Sequence, residues 1–309
     1  MMQSLELKLD GRNLDVNSIA SDLQSSGVSV DLNQCFETQG YDAPFVKFSP
    51  TPLELPHPKL ITFYSACKRM AGPEERLKAR DFDKDSISHL TDYLMILDVK
   101  SRGTEFLYSY YGEGIRGLRG LSMVGRTSEY FTGHISRFFT ATYRAACHRK
   151  ESVFTIHEAP SRVFVSDWKR LIIPLFDDQL QTVVRFAVVN MPDNNFCAGL
   201  DVVPDPILVA DRDMVLRYTN AAASKMFGGI MQFGSRLNVN DFAGLELNIP
   251  ESPEALAAEG TVRDIASISL RNHLIQRFLV TVSGLVMNKR AFYVIGLRPV
   301  FEDMNCRFS

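Results

Sequence analysis

The stretch PDPILVADRDMVLRYTNAAASKMFG, residues 204–228, decides the fold of the second half of the chain. Two short apolar runs, Pro206–Ala210 and Met214–Thr219, flank the polar turn DRD, and this pattern predicts a pair of strands. Asn220 follows the second run, and an asparagine side chain can accept a hydrogen bond from the first turn of a helix, so a helix is predicted to begin there. Beyond a short helix within 250–259, the half closes with three predicted strands, Arg263–Leu270, Gln276–Leu285 and Ala291–Arg298.

The first half of the chain shows the same order of elements. Two apolar and aromatic runs, Tyr93–Val99 and Thr104–Tyr111, are joined by a polar turn and followed by a glycine-rich stretch, 112–125. From Ile135 to Cys147 apolar residues recur every three or four positions, which predicts a helix lying on a sheet. Three more strands are predicted at Val153–His157, Asp167–Phe176 and Thr182–Asn190. The sequence therefore predicts an internal repeat.

The region before the first repeat has a different character. Alternating leucines over residues 5–16 predict a small hairpin, and a helix is expected near 17–25. Five prolines between Pro44 and Pro58 remove backbone donors and predict a linker, after which an amphipathic leading helix covers 58–71. The predicted organisation is an N-terminal extension with a proline-rich linker (1–57), a first domain (58–192) and a second domain (196–303), with the break at Met191–Asn195.

Composition and charge exclude several classes of function. Lys and Arg total 34 against 36 Asp and Glu, so the net charge of −2 creates no field that would attract nucleic acid or an anionic membrane. The five cysteines are far apart, and their spacing suggests neither a disulfide framework nor a metal site. No signal peptide or bilayer-spanning apolar run is present in the sequence. We therefore expect a cytoplasmic protein without a nucleic-acid partner.

Both halves resemble PAS domains. The stretch at 204–228 is similar to the common PAS opening, in which a polar turn separates two strands and an asparagine starts the first helix. The first half, through LITFYSACKRMAGPEERLKARDFDKDSISHLTDYLMILDV (60–99) and DWKRLIIPLFDD (167–178), resembles bacterial stand-alone regulatory PAS proteins. It departs from them at Ala66-Cys67, where that family often has a tryptophan. The resemblance implies an α+β protein with two PAS-like domains, each a five-stranded antiparallel sheet with helices on one face, plus a small N-terminal extension.

The resemblance also implies a function. Such a chain is expected to be a non-enzymatic sensory or regulatory protein that binds a small ligand or a signalling partner, such as a histidine kinase or a response regulator. By analogy it forms a homodimer through the leading helix and the sheet faces. Two alternatives remain: the input region of a sensor kinase or cyclic-nucleotide enzyme, and a ligand-free scaffold filled by Phe138, Phe139 and Phe186. The end of the chain shortly after the last strand, without a coiled-coil linker, favours a complete protein.

A dinucleotide-binding motif is the first cofactor hypothesis that the sequence raises. Gly112, Gly114 and Gly117 form GxGxxG directly after a strand. A dinucleotide-binding unit needs a long apolar helix and a second parallel strand ending in an acidic residue, and neither follows here. The glycines are therefore interpreted as a turn around a pocket.

Haem and a flavin adduct are also disfavoured, which leaves the cofactor unknown. His134 and His148 flank the long helix, but His148 lies at a basic helix end where it favours the helix dipole. His134, at the helix start, is the one that could face inward. The terminal MNCRFS is similar to a flavin-adduct motif, yet Cys306 follows the last strand instead of lying between the second strand and the long helix.

Six polar or aromatic residues are the candidate ligand-binding site in the first domain. Trp168 and Arg170 share one strand face, so one could stack on a ligand while the other binds its acidic group. The alternative is that both cover the outer face of the sheet and meet the leading helix or a second chain. No catalytic motif and no metal-ligand motif is present in the sequence. The candidates are Tyr108, Tyr110, Arg116, Tyr143, Trp168 and Arg170.

Overall fold

The computed structural model describes residues 15–160, 163–193, 195–227, 237, 242–243, 252–269 and 275–300. Contacts divide the chain into two compact units. The first unit comprises the chain up to Ile115, Ser122–His157 and Trp168–Met191. The second comprises Arg116–Leu121, Glu158–Asp167 and the chain from Pro192 onward. The predicted hairpin at 5–16 and Cys306 lie outside the described residues, apart from the last two positions of the hairpin.

The first unit is built on one sheet. Its order is β1-β5-β6-β7-β3-β4, with β2 added in parallel alongside β6. The β1–β5, β3–β4 and β3–β7 pairs are antiparallel. Its strands are β1 (Phe45–Phe48), β2 (Leu77–Lys78), β3 (Leu94–Lys100), β4 (Glu105–Tyr111), β5 (Val153–Glu158), β6 (Asp167–Phe176) and β7 (Val183–Pro192).

The helices of this part of the chain lie before and between those strands. They are α1 (Val16–Ser25), α2 (Val30–Glu37), α3 (Pro58–Ala71), α4 (Glu113–Arg119) and α5 (Gly133–Arg149). The leading helix α3 has the predicted bounds for local reasons. Pro58 occupies its first position, where a missing N–H costs nothing, and the ring nitrogen Nδ1 of His57 accepts from the amide of Lys59. Gly72 ends it with φ 61°, a conformation that favours glycine.

The sheet of the first unit is covered on both faces, not on one as predicted. Leu171, Ile173 and Leu175 of β6 pack with the buried stripe of α3. Successive side chains of a strand point to opposite faces, so Arg170 and its even-numbered neighbours face the other side. There the Arg170 guanidinium contacts Phe139 of α5. The reason is that β6 is buried at seven consecutive positions and therefore has two apolar faces to cover.

The N-terminal residues belong to the first unit instead of forming a separate appendage. Asp15 and Ser29 cap α1 and α2 by accepting from backbone amides, as the predicted helix near 17–25 requires. Ile19 and Leu23 of α1 are fully buried, and Arg144 of α5 donates to the side-chain oxygen of Asn17 over 2.6 Å. The predicted linker is different in the structure: it contains β1, which pairs with β5.

The second unit is also built on one sheet, of order β10-β11-β12-β13-β8-β9, in which every pair is antiparallel. Its strands are β8 (Ile207–Ala210), β9 (Leu216–Thr219), β10 (Phe242–Ala243), β11 (Val262–Ser269), β12 (Ile275–Met287) and β13 (Arg290–Pro299). Its helices are α6 (Asn195–Asp201), α7 (Ala221–Phe227) and α8 (Pro253–Glu259). The predicted strand pair, the helix after Asn220 and the three closing strands are confirmed to within a few residues.

This sheet too is covered on both faces. One face packs with α7 and α8 through Phe227 and Leu256. Gly284 of β12 allows α8 to approach closely, because a Cβ there would lie 2.0 Å from the carbonyl oxygen of Pro253. The opposite face packs with α6 and with Phe164.

Hydrogen bonds from a buried arginine hold the segment 158–167 in the second unit. Arg290 is 7% exposed and donates to four main-chain carbonyl oxygens over 2.6–3.4 Å. Phe164, in the same segment, packs against Phe292 with ring centroids 5.0 Å apart. The acceptors of Arg290 are the carbonyls of Pro160, Val163, Val165 and Ser166.

The two sheets share one strand order, which is the structural form of the predicted repeat. The five strands of the first repeat lie in the order β4-β3-β7-β6-β5, and those of the second lie in the equivalent order β9-β8-β13-β12-β11. The predicted count of five strands per sheet is too low, because β1 and β2 extend the first sheet to seven strands and β10 extends the second to six. In the ranges that the structure describes, no helix has both the length and the apolarity needed to cross a bilayer.

Candidate ligand-binding site

Arg170 is the central residue of the candidate site. It lies on β6 and is 1% exposed, although its guanidinium carries a permanent positive charge. One of its terminal nitrogens donates to the hydroxyl of Tyr143, and the guanidinium lies 3.9 Å from the centroid of the Phe139 ring. Its Nε and its other terminal nitrogen have no hydrogen-bond partner among the described residues. A buried cation is therefore only partly satisfied.

The helix α5 and the sheet enclose this arginine in aromatic rings. Phe139 and Tyr143 are four residues apart, so they project from one side of α5. The Tyr143 ring packs 5.1 Å from Phe106 of β4 and 5.4 Å from Phe186 of β7, centroid to centroid. These contacts bury the guanidinium and hold Tyr143 in place as its hydrogen-bond acceptor.

Tyr108 is the second buried polar group on this side of the sheet. It is 1% exposed, and its hydroxyl lies close to that of Tyr143 but makes no hydrogen bond of good geometry to a described residue. Burial raises the pKa of Tyr108 well above its ordinary value, and the nearby Tyr143 hydroxyl raises it further. The group is thus a neutral phenol with an O–H to donate. Its ring packs against Phe131, with centroids 6.2 Å apart.

Two more unsatisfied polar atoms lie on the same face of the sheet. Thr155 of β5 is fully buried and its hydroxyl has no partner in the described ranges. Two positions along, His157 contacts Phe139, which places this side of β5 toward α5. Asn190 of β7 is 7% exposed with its side-chain oxygen unpaired, and strand alternation puts it on the face of Phe186.

Among the described residues, no acidic side chain forms an ion pair with Arg170. Apart from Glu158, which ends β5 and groups with the second unit, Arg170 is the one buried Lys, Arg, Asp or Glu side chain in the described part of the first unit. Burying an arginine without a carboxylate or a full set of acceptors costs several kcal/mol, on the order of the whole stability of a domain. Native proteins leave few buried polar groups unsatisfied, so a cluster of them requires an explanation such as a bound molecule or ordered water.

The structure brings some of the predicted site residues together and not others. Tyr108, Tyr143 and Arg170 belong to one buried cluster, and Trp168 is buried on the Arg170 face of β6. Trp168 and Arg170 thus face α5, not the leading helix. Tyr110 lies on the α3 side and donates to the backbone oxygen of Thr91.

Arg116 is placed elsewhere. It lies on α4 in the segment Arg116–Leu121, which groups with the second unit, so the six predicted residues do not all belong to one unit. Sequence reasoning missed Thr155, Asn190 and Phe139. The available signal was weak: Asn190 is a lone amide in the apolar strand VVRFAVVNMP, and Phe139 is one member of an apolar helical stripe.

Gly112 and His134, which were weighed as parts of cofactor motifs, have structural roles. A Cβ at Gly112 would lie 2.3 Å from the backbone oxygen of Asp92, so this glycine permits a close approach of two chain segments. The His134 ring lies between Phe36 and Tyr41, with centroids 4.6 and 4.5 Å away. Burial, with a smaller effect of the Arg137 charge, lowers the pKa of His134 to about 4.

The remaining nucleophiles and metal-ligand types form no obvious reactive centre in the described ranges. Burial raises the pKa of Cys67 and of Cys147 to about 12, so both are protonated thiols at neutral pH. Within those ranges, no group of three or more His, Cys, Asp and Glu side chains is arranged to hold a metal ion.

A separate cleft of about 320 Å³ opens on the first unit beside the C-terminal end of α3. Its lining has both signs of charge, with Lys68, Arg76 and Lys150 near Glu74 and Glu151. Such a mixed lining selects no particular ligand charge. The Arg170 cluster is the more informative site because its charge is uncompensated.

Comparison with known proteins found similarity to solved structures alone. No family model matches the sequence, and no curated protein matches it. Over about a third of its length the chain is similar to the PAS domain of nitrogen regulation protein NR(II) from Vibrio parahaemolyticus, with 17% identity, 98% of that chain covered and a TM-score of 0.28.

Two further solved structures are similar at the same level. The PAS domain of BvgS from Bordetella pertussis matches with 14% identity over 36% of this chain and 86% of that one, with a TM-score of 0.27. A chain of the E. coli DhaR(N)–DhaL complex matches with 13% identity over 79% of this chain and 91% of that one, with a TM-score of 0.25. Values this low say nothing about a ligand or a partner.

Proposed function

We propose that this chain is a sensory or regulatory protein whose first unit takes up a small molecule between its sheet and α5. The observation that carries the proposal is Arg170, a buried cation with unpaired N–H donors and no buried acid beside it. A ligand that supplied the missing acceptors would convert this cost into binding free energy, because hydrogen bonds to charged groups contribute about 1.5–3 kcal/mol each.

Transmission of the bound state is proposed to run through α5. The inner side of this helix accepts the Arg170 hydrogen bond at Tyr143, and its outer side holds the N-terminal helices. Arg144 contacts Asn17, and Arg149 donates to the backbone oxygen of Gln24 over 3.0 Å. A ligand that draws the guanidinium away from Tyr143 would favour a second position of α5, and with it a second position of α1.

The partners follow from the sequence resemblance to PAS domains. We propose a homodimer that contacts a histidine kinase or a response regulator in the cytoplasm, without a catalytic step of its own. Residues 58–192 would act as the sensory domain and residues 196–303 as the contact domain. The alternatives are an input region of a larger signalling enzyme and a ligand-free scaffold. The rings of Phe138, Phe139 and Phe186 are buried, as the scaffold alternative also requires.

Native mass spectrometry of the full chain tests the proposal. The wild-type protein should carry a small molecule that is released on denaturation, and the Arg170→Met variant should lack it. Met has a similar volume without the charge, so it removes the anchor while filling the space. A wild-type mass equal to that of the polypeptide alone, together with an Arg170→Met variant at least as stable, would show a filled interior and support the scaffold alternative.

A further inference from the structure

We propose that the molecule bound at Arg170 is a monocarboxylate with an apolar body. This inference rests on the proposed function and specifies the chemical class of its ligand. The juxtaposition behind it is one uncompensated guanidinium, one unpaired phenol and a wall of phenylalanine rings on the same side of one sheet.

The charge of the ligand follows from the charge of the site. Glu158 is buried too, but it ends β5 on the face opposite to Thr155 and His157 and groups with the second unit. Arg170 is therefore the one buried Lys, Arg, Asp or Glu side chain on the α5 side of the sheet in the described part of the first unit, and it gives that side one permanent positive charge. A ligand with one negative charge neutralises it. A dianion such as a phosphate monoester would leave one negative charge buried, and a neutral or cationic ligand would leave the guanidinium uncompensated.

The geometry around the guanidinium favours a planar acid. One face of the group is stacked on Phe139 at 3.9 Å, so a ligand reaches the N–H donors at the edge of the plane. Carboxylates bind guanidinium groups in that plane, through parallel or single N–H···O bonds. The Tyr108 hydroxyl is a further donor, because burial keeps the phenol neutral by raising its pKa. Acid oxygens can therefore receive bonds from two side chains.

The aromatic rings around Tyr108 and Tyr143 indicate the chemical character of the rest of the ligand. Phe106, Phe131 and Phe186 line the same region through ring contacts with Tyr108, Tyr143 and each other at 5.1–6.2 Å. Aromatic walls favour an aromatic or branched apolar group over a sugar or a peptide. Thr155 and Asn190 add polar atoms at the side of the wall, where a hydroxyl of the ligand or a water can pair with them.

The test compares matched ligands on the full chain by thermal unfolding and calorimetry. The probes are acetate, hexanoate and phenylacetate, each with its neutral amide, and phenyl phosphate as a dianion. Phenylacetate or hexanoate should raise the melting temperature by about 5–10 °C at a hundredfold excess over its Kd. Each amide and phenyl phosphate should bind at least about tenfold more weakly.

Three variants locate the effect. Arg170→Met should abolish the shift, and Tyr108→Phe, which removes only one hydroxyl, should weaken carboxylate binding about tenfold or more without unfolding the protein. Arg185→Gln is the matched control, because Arg185 pairs with Asp98 on a half-exposed surface and should bind as wild type.

The outcomes separate this inference from the proposed function. Binding of an amide as tight as its acid, or a co-purified molecule without a carboxylate in native mass spectra, overturns the ligand class and leaves the sensory proposal standing. If no carboxylate binds, the ligand class is wrong. If, in addition, the purified protein carries no molecule, the sensory proposal fails with it.

Discussion

Asn220 offers the sharpest test of how the second unit is held together. The side chain is fully buried. Its oxygen accepts from the amides of Ile207 and Ala223, both over 2.9 Å, which joins the first strand to the start of α7. Its NH2 group has two hydrogens and lies 2.9–3.2 Å from three backbone oxygens in the last turn of α6 and the chain that follows, so two of these oxygens share one hydrogen. The acceptors are the backbone oxygens of Leu200, Val203 and Asp205.

The magnitude can be worked from the four hydrogen bonds that this amide can make, two as acceptor and two as donor. Each contributes a net of about 0.5–1.5 kcal/mol, and truncation leaves their partners buried without a replacement. We expect Asn220→Ala to lower the free energy of unfolding by about 4 kcal/mol, near the upper limit for single substitutions. Asn220→Asp keeps the two acceptor bonds but directs a negative charge at three carbonyl oxygens, so it should cost at least as much.

Urea unfolding followed by far-UV circular dichroism measures this loss, and hydrogen exchange of peptides over residues 195–227 locates it. Trp168, the single tryptophan, lies in the first unit, so its fluorescence reports separately on that unit. Ser252→Ala is the control: it removes one bond, to the amide of Ala255, and should cost about 1 kcal/mol. An Asn220→Ala cost no larger than this control, or an Asn220→Asp variant as stable as wild type, would refute the reasoning.

Three further perturbations test other parts of the molecule. Gly284→Ala should cost about 1–3 kcal/mol in urea unfolding, because α8 must move away from β12, whereas Gly199→Ala, with open space around it, should be neutral or stabilising. His134 binds a proton in the unfolded chain below pH 6.5 but in the folded chain only below about pH 4, so its contribution to stability is lost as the pH falls through this window. The free energy of unfolding from urea titrations should fall between pH 7 and pH 4.5 by about 1–3 kcal/mol more in wild type than in His134→Leu, and an equal fall would contradict the burial argument. Arg290→Met should speed hydrogen exchange in residues 163–167 at least tenfold, since their carbonyls lose a common donor; unchanged exchange there would mean that the segment is held by other contacts.

Most elements of the fold could be predicted from the sequence because their signals are local. The helix 58–71 has a proline at its start, a glycine at its end and an apolar stripe, and the structure contains it with those bounds. The strand pair before Asn220 is likewise defined by a polar turn between two apolar runs. The strand β1 was not predicted. It lies among prolines and forms because β5 offers an edge, which is a non-local interaction.

For the candidate site too, one part of the arrangement could be predicted from the sequence and another could not. By itself the sequence determined that Trp168 and Arg170 share a strand face, since alternation along an extended chain is a property of the backbone. Only the tertiary structure decided which helix that face meets. The apolar residues of β6 alternate on both faces, so sequence pattern could not distinguish the α3 side from the α5 side.

For a related reason, the sequence could not show whether the charge of Arg170 is neutralised by a carboxylate. The chain has nearly equal numbers of acidic and basic residues, so its composition does not single out any arginine as unpaired. Whether a carboxylate lies beside Arg170 depends on which segments the fold brings together across the sheet. The sequence thus determined the repeat, the helices and the strand faces, which follow from local backbone geometry. The tertiary structure alone decided that one buried guanidinium is left without an acid, because that depends on long-range packing.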